Sequence, residues 1–163
     1  MAVRGVVVSQ IVTLEALREC VGQELGRSAW YTIDQERINA FADVTEDHQF
    51  VHIDPERARS TPFGTTVAHG FLTLSLLVHL CLDFIPELEN RQLMLNYGFD
   101  KVRFVSPVKV GARIRAQGRL VQLTERKPGQ ILMNLDVVVE IDNEDKPALI
   151  VEWLSLHIVG AAA

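Results

Sequence analysis

The chain has 163 residues and a mass of 18.3 kDa, the size of one ordinary domain able to bury its own core. Apolar residues make up 48% and charged residues 23%, which excludes a disordered, fibrous or coiled-coil chain. A net charge of -5 with no Lys/Arg cluster excludes a basic nucleic-acid-binding face, and two cysteines, Cys20 and Cys81, exclude a disulfide scaffold or zinc ribbon.

The opening run from Met1 to Ser9 is too short in apolar residues for a signal peptide. The most apolar stretch, Phe71 to Leu82, is about a dozen residues, well short of the roughly 20 that cross a bilayer. The expectation is a cytoplasmic protein with no membrane partner, its two thiols unpaired.

From Leu14 to Leu25, the residues Leu14, Leu17, Cys20, Val21 and Leu25 recur at helical spacing and predict an amphipathic helix ended by Gly26. Residues 1–28 thus read as a helical extension to a single domain spanning 1–163. Trp30 to Ile33 predicts a short strand. A second helix follows, begun either by a Thr32/Gln35 capping box or by Asp34 as cap, with Ile38, Phe41 and Ala42 as its buried stripe. Periodicity is lost from Asp43 to Ile53. Asp54-Pro55-Glu56 then starts a helix that Pro62 and Gly64 break.

From Gly70 to Phe84 the chain is apolar on all sides of a helical wheel, which predicts one long helix surrounded by protein. The remainder is written in strands. Val102, Phe104 and Val105 form one; Arg113 to Leu123 and Ile131 to Ile141 alternate with period two; Ala148 to Val159 closes the set. Lys127-Pro128-Gly129 and Asn143 to Pro147 are the turns. An antiparallel sheet must bury an apolar face, and an all-apolar helix needs a sheet curled about it. The two needs meet in an α+β layout: a curved antiparallel sheet wrapped around one long buried helix.

Between Asp43 and Gly70 lie Asp43, Thr45, Glu46, Asp47, His48, Gln49, His52, Asp54, Thr65, Thr66 and His69, including three of the five histidines. This density of titratable groups is where a site is sought. A metal site is one reading, from the i, i+4 pair His48 and His52; no His-Glu-x-x-His run or cysteine ligand supports it. An acid–base pair acting on water is another, with Asp47 and His52 brought together by a turn. A solvated loop with ordinary surface histidines is the third.

The run Phe41-Ala42-Asp43-Val44-Thr45-Glu46-Asp47-His48-Gln49-Phe50-Val51-His52-Ile53-Asp54-Pro55, with Pro62-Phe63-Gly64 and Val67-Ala68-His69-Gly70-Phe71, resembles the hydratase motif of the MaoC-like family. Asn96-Tyr97-Gly98 and Lys101-Val102-Arg103-Phe104 extend the likeness, so that it covers most of the chain, closest to a nodulation-protein-N-like branch. The family comprises hot-dog-fold (R)-specific enoyl-CoA hydratases, and that fold is the helix-in-sheet layout already reached from periodicity. The resemblance implies that Asp47 and His52 are the catalytic pair and that the Gly70 N–H donates to the thioester carbonyl. Where the family has Asn-Pro this chain has Gln49-Phe50, so Gln49 is the expected substitute for an orienting asparagine, with longer reach.

The resemblance further implies an acyl-CoA or acyl-carrier thioester substrate, no metal, and no cofactor beyond the coenzyme A of the substrate itself. It also implies at least a homodimer, since a lone unit leaves a sheet edge open. Gly70 lacks a side chain and so lets a thioester approach closely; at the head of a long helix it is also aided by the dipole. An acyl tail running along that helix would meet Leu74, Val78 and Cys81, although plain core explains these residues equally. His69 reads as structural, His48 as exposed, and Cys81 as a buried, unreactive thiol. An acyl-CoA thioesterase and a non-catalytic acyl-thioester-binding protein remain the alternatives to hydration.

Overall fold

The computed structural model describes residues 10–160; the start of the expected N-terminal extension, residues 1–9, lies outside the described residues. β1 (Ile11–Val12) leads into α1 (Leu14–Glu19), capped by Thr13, whose Oγ1 accepts from the Ala16 N–H at 3.1 Å. The helix expected to reach Leu25 stops six residues early. Residues after Gly22 are extended, and β2 (Glu24–Arg27) pairs antiparallel with β6 (Arg113–Lys127). Helical spacing of apolar residues gave way here to a ladder that pairs backbone groups with the sheet. The extension is therefore half helix and half edge strand, stitched into the main sheet and not appended to it.

β3 (Tyr31–Thr32) also pairs with β6. α2 (Gln35–Thr45) is capped by Asp34, whose Oδ1 accepts from the Arg37 N–H at 2.8 Å, and it buries Ile38 and Ala42. Two single turns follow, α3 (Phe50–Ile53) and α4 (Pro55–Ala58), the second with Asp54 as cap and Pro55 in its first turn.

The predicted central helix is present but broken. α5 (Gly70–Ser75) and α6 (Leu77–Cys81) meet at Leu76. Leu72, Leu77, Leu80 and Cys81 face the core, while Phe71 is 65% and Leu82 51% exposed. The prediction of burial all round is thus corrected: one side packs on the sheet, α5 against β8 (Leu149–Val159) and α6 against β6, and the other side carries apolar residues outward. Phe84, just beyond α6, fits over Gly118 of β6, where a Cβ would lie 2.6 Å from the ring.

β4 (Glu87–Leu88) pairs with β1 in a two-residue parallel ribbon, a small exception to the antiparallel expectation. β5 (Arg91–Phe104) starts well before Val102, and three register shifts against β8 hide its period from the sequence. β7 (Gln130–Ile141) alternates without a fault, burying Ile131, Met133, Leu135, Val137, Val139 and Ile141. The main sheet runs β2-β6-β7-β8-β5, all antiparallel, with Leu149, Val151 and Trp153 of β8 completing the concave core. The fold is α+β and hot-dog in type. No helix among the described residues is long and apolar enough to cross a membrane.

Candidate active site

α2 ends at Glu46, which adopts φ 60° and turns the chain sharply into Asp47, His48 and Gln49. A left-handed conformation at a non-glycine residue needs support from its surroundings. The single turn α3 then carries His52 inward. The Gln49 carbonyl accepts from the His52 N–H at 2.9 Å, and the Val51 carbonyl accepts from the Val67 N–H at 3.0 Å. Residues 66–68 are anchored in turn to the loop before β6: Thr66 O accepts from Val110 N at 3.0 Å, and Ala68 N donates to Val108 O at 2.7 Å. Two chain segments far apart in sequence are thereby clamped side by side.

His52 is buried, and its Nδ1 lies 2.7 Å from the Val67 carbonyl. A carbonyl can only accept, so Nδ1 carries the hydrogen and Nε2 keeps the lone pair. Burial pushes the His52 pKa below its ordinary value, and the neighbouring His69 adds to this, against the opposing pull of the Val67 bond and Asp47. The imidazole is thus held neutral, in the tautomer that offers Nε2 as a base. The Asp47 carboxylate, 56% exposed, has an oxygen within 4.8 Å of ring nitrogens of both His52 and His69. The expected pair is brought together.

His69, read from sequence as structural, joins them. It is 3% exposed, stacks on His52 with ring centroids 3.7 Å apart, and has the Phe41 ring tilted against it at 5.1 Å. Its Nε2–H donates to the Asp47 backbone carbonyl at 2.9 Å, and its Nδ1 is buried with no partner. Gln35 was missed as well. Its Nε2 donates to the His52 carbonyl at 2.7 Å and its Oε1 accepts from Thr66 Oγ1 at 2.6 Å, tying α2 to both halves of the site. The sequence offered one signal: with Asp34 taking the cap, Gln35 in the first turn is free to reach elsewhere.

His48 lies outside, its Nε2 3.0 Å from Asp43 Oδ1. Gln49 is exposed; its backbone N–H lies 3.4 Å from Asp47 Oδ1 and its side chain makes no capping bond. Gly70 opens α5 directly after His69. Its N–H has no intrahelical acceptor, and a Cβ there would meet Phe104 at 2.9 Å. A cavity of about 270 Å3 borders it, lined by Phe63, Thr73, Phe104 and Pro107 among others. Leu74, Val78 and Cys81 are not in that wall; they pack into the core. Burial and Asp83 push the Cys81 thiol up to about 12, as expected for an unreactive cysteine. A larger cleft of about 570 Å3, between Trp30, Arg115 and Glu140, contains none of these residues.

Asp47, His52 and His69 have the composition of a metal triad. Their geometry argues against it. The imidazole planes lie within 26° of each other with centroids 3.7 Å apart, so the in-plane lone pairs of the two rings lie in separate, nearly parallel planes and share no point about 2 Å from both, the length of a metal–imidazole bond. The arrangement suits proton transfer to and from one small molecule beside His52 Nε2 and Asp47.

The MaoC-like domain pattern matches residues 17–142. The chain belongs to the MaoC-like dehydratase family. This MaoC-like chain is 48% identical over 137 residues to nodulation protein N of Rhizobium leguminosarum bv. viciae, covering 83% of its own length and 85% of the relative's. It is 45% identical over 142 residues to 3-hydroxyacyl-thioester dehydratase Z of Mycobacterium tuberculosis, covering 87% and 93%. The solved structure of the (R)-hydratase from A. caviae superposes with a TM-score of 0.68 at 27% identity, covering 83% of this chain and 94% of that one. The MaoC-like fold and its hydratase and dehydratase relatives agree with the architecture and motif described above.

Proposed function

We propose that this MaoC-like enzyme catalyses the reversible addition of water to a trans-2-enoyl thioester, giving an (R)-3-hydroxyacyl thioester. The thioester is carried by coenzyme A or an acyl carrier, and no other cofactor takes part. The observation that carries the reading is the pairing of His52 and Asp47. His52 Nε2 is left as a free base by the Nδ1–H bond to Val67, and an Asp47 carboxylate oxygen lies within 4.8 Å of a His52 ring nitrogen.

In the hydration direction His52 Nε2 takes a proton from water as its oxygen bonds to C3. Electrons of the C2=C3 bond move toward the thioester carbonyl, whose oxygen gains enolate charge. A proton delivered to C2 by the pair completes the addition. The Gly70 N–H, without an intrahelical acceptor, is the donor for the charged oxygen, and loss of such a donor typically costs about 3–4 kcal/mol. α5 is only six residues long before its break, so the bond itself and not a long helix dipole supplies this help. Phe104 shields Gly70 and forms part of the cavity for the acyl end.

Purified protein mixed with crotonyl-CoA should bleach the enoyl-thioester absorbance without releasing thiol. Asp47→Asn and His52→Gln should each lower kcat by at least about 100-fold, and the double variant should fall little further, because neither partner completes the transfer alone. His48→Ala should keep most of its activity, and a chelator should leave turnover unchanged. Thiol release in place of bleaching would establish a thioesterase; binding without turnover at any chain length would establish an acyl-binding protein.

The enzyme is proposed to work as a homodimer or larger assembly. Among the described residues β5 ends the sheet with an unpaired edge, and Leu93, Leu95, Tyr97 and Phe99 on it are exposed. A cytoplasmic location accords with the free thiols of Cys20 and Cys81.

A further inference from the structure

We infer that His69 is a positioning residue, which holds both members of the catalytic pair in register through its Nε2 bond and its ring face. The inference rests on the hydratase reading of Asp47 and His52. Three features converge on it. The first is the bond to Asp47. Among the described residues the Asp47 carbonyl accepts from no backbone N–H, and the 2.9 Å bond from His69 Nε2 is what ties it to the rest of the molecule. Asp47 directly follows Glu46 at φ 60°, so the turn bearing the carboxylate has little else to hold it.

The second feature is the stack. The His52 ring rests on His69 at 3.7 Å, and the Phe41 ring packs on His69 at 5.1 Å. A ring bonded only at Nδ1 can still rock about that bond; the stack removes this freedom and fixes where Nε2 points. The third is electrostatic. Asp47, His69 and the Val67 carbonyl are the polar groups around the His52 ring, and of these His69 opposes its protonation while the other two favour it. A side chain in place of His69 that cannot carry charge removes this opposition, so His52 takes up its proton at higher pH.

The bond also sets which nitrogen of His69 is engaged. Its Nε2 must carry a hydrogen to donate to a carbonyl, and its Nδ1 is buried with no partner among the described residues. That atom gains nothing in the folded chain. What His69 contributes comes from its other nitrogen and its ring face.

Three variants separate these contributions: His69→Phe keeps the ring and loses the donor, His69→Gln keeps a donor and loses the ring, and His69→Ala loses both. Each is measured for hydration of crotonyl-CoA, for binding of butyryl-CoA, and for titration of His52 by NMR. The expected result is a kcat at least 10-fold lower in His69→Phe and lower still in His69→Ala, with butyryl-CoA affinity within about twofold of wild type. The His52 titration should move to higher pH in His69→Gln, and the acid limb of kcat/KM should move with it. Overturning results are a kcat within twofold of wild type with an unmoved titration, a loss of kcat matched by an equal loss of butyryl-CoA binding, or failure of all three variants to fold. If wild type hydrates no enoyl thioester, the hydratase reading fails on its own, and the NMR titration alone then decides whether His69 governs His52.

Discussion

His157 shows what burial does to an ionisable group outside the site. It is fully enclosed beneath the sheet, its Nε2 3.0 Å from Ser155 Oγ, and its Nδ1 has no partner. Burial, with Arg91 nearby, pushes its pKa down to about 4. The unfolded chain takes up this proton near pH 6.5, the folded chain only near 4, so the unfolded state binds more protons between the two. Stability from this residue is therefore complete above about pH 6.5, declines as pH falls toward 4, and levels off below. The whole decline is on the order of 3 kcal/mol. Urea midpoints measured at pH 7 and pH 4.5 should differ less in His157→Gln than in wild type, once the shared carboxylate contribution is subtracted. His52, also lowered by burial, acts in the same direction on activity: the base form persists below the usual histidine range, so kcat/KM should hold its plateau below pH 6.5.

At the scale of elements, the contact between Phe84 and β6 is the tightest fit in the core that a single added atom would disturb. Gly118 leaves room for the ring edge, and a methyl group there must displace it, since the approach would be 2.6 Å. Gly118→Ala should cost about 1–3 kcal/mol of stability by urea unfolding. In a Phe84→Ala background the same change should cost less than half as much, because the ring it collides with is gone. This contact was not legible in the sequence, where Gly118 interrupts an alternating strand without saying what approaches it. β7 was legible throughout, because one face meets core and the other does not, and period two follows directly. β5 was legible only near its end. Its bulges shift the inward parity, and its outward residues are as apolar as its inward ones, so no alternation marks it.

For the whole molecule the outstanding feature is the number of exposed apolar residues on β5 and on the broken helix. Leu93, Leu95, Tyr97 and Phe99 on β5, Phe104 and Val105 beyond them, and Phe71 and Leu82 of the broken helix are all exposed. Exposure of this kind along an open sheet edge is the pattern expected of a surface that a second copy covers. Sedimentation at micromolar concentration should give a dimer or larger species, and a Leu93→Lys/Leu95→Lys variant should shift the population toward monomer while retaining the monomer's strand content by circular dichroism. The central helix read as apolar all round because composition does not record which of its apolar faces the chain itself covers.

The amino-acid sequence by itself determined the α+β class and the position of the central helix and the meander, and its resemblance to the MaoC-like motif singled out Asp47, His52 and Gly70 as candidates. Each of these is written locally, as a period, a cap or a short motif whose meaning does not depend on distant residues. Only the tertiary structure decided that His69 lies against His52, that Gln35 of α2 clamps the His52 carbonyl to Thr66, that the segment after Gly22 leaves its helix for the edge of the sheet, and that the helix breaks at Leu76. These depend on which segments meet across long stretches of chain. Hydrophobic pattern specifies that a face must be covered, but the partner is chosen by global packing and backbone hydrogen bonding, in which local preferences worth less than about 1 kcal/mol per residue are readily overruled.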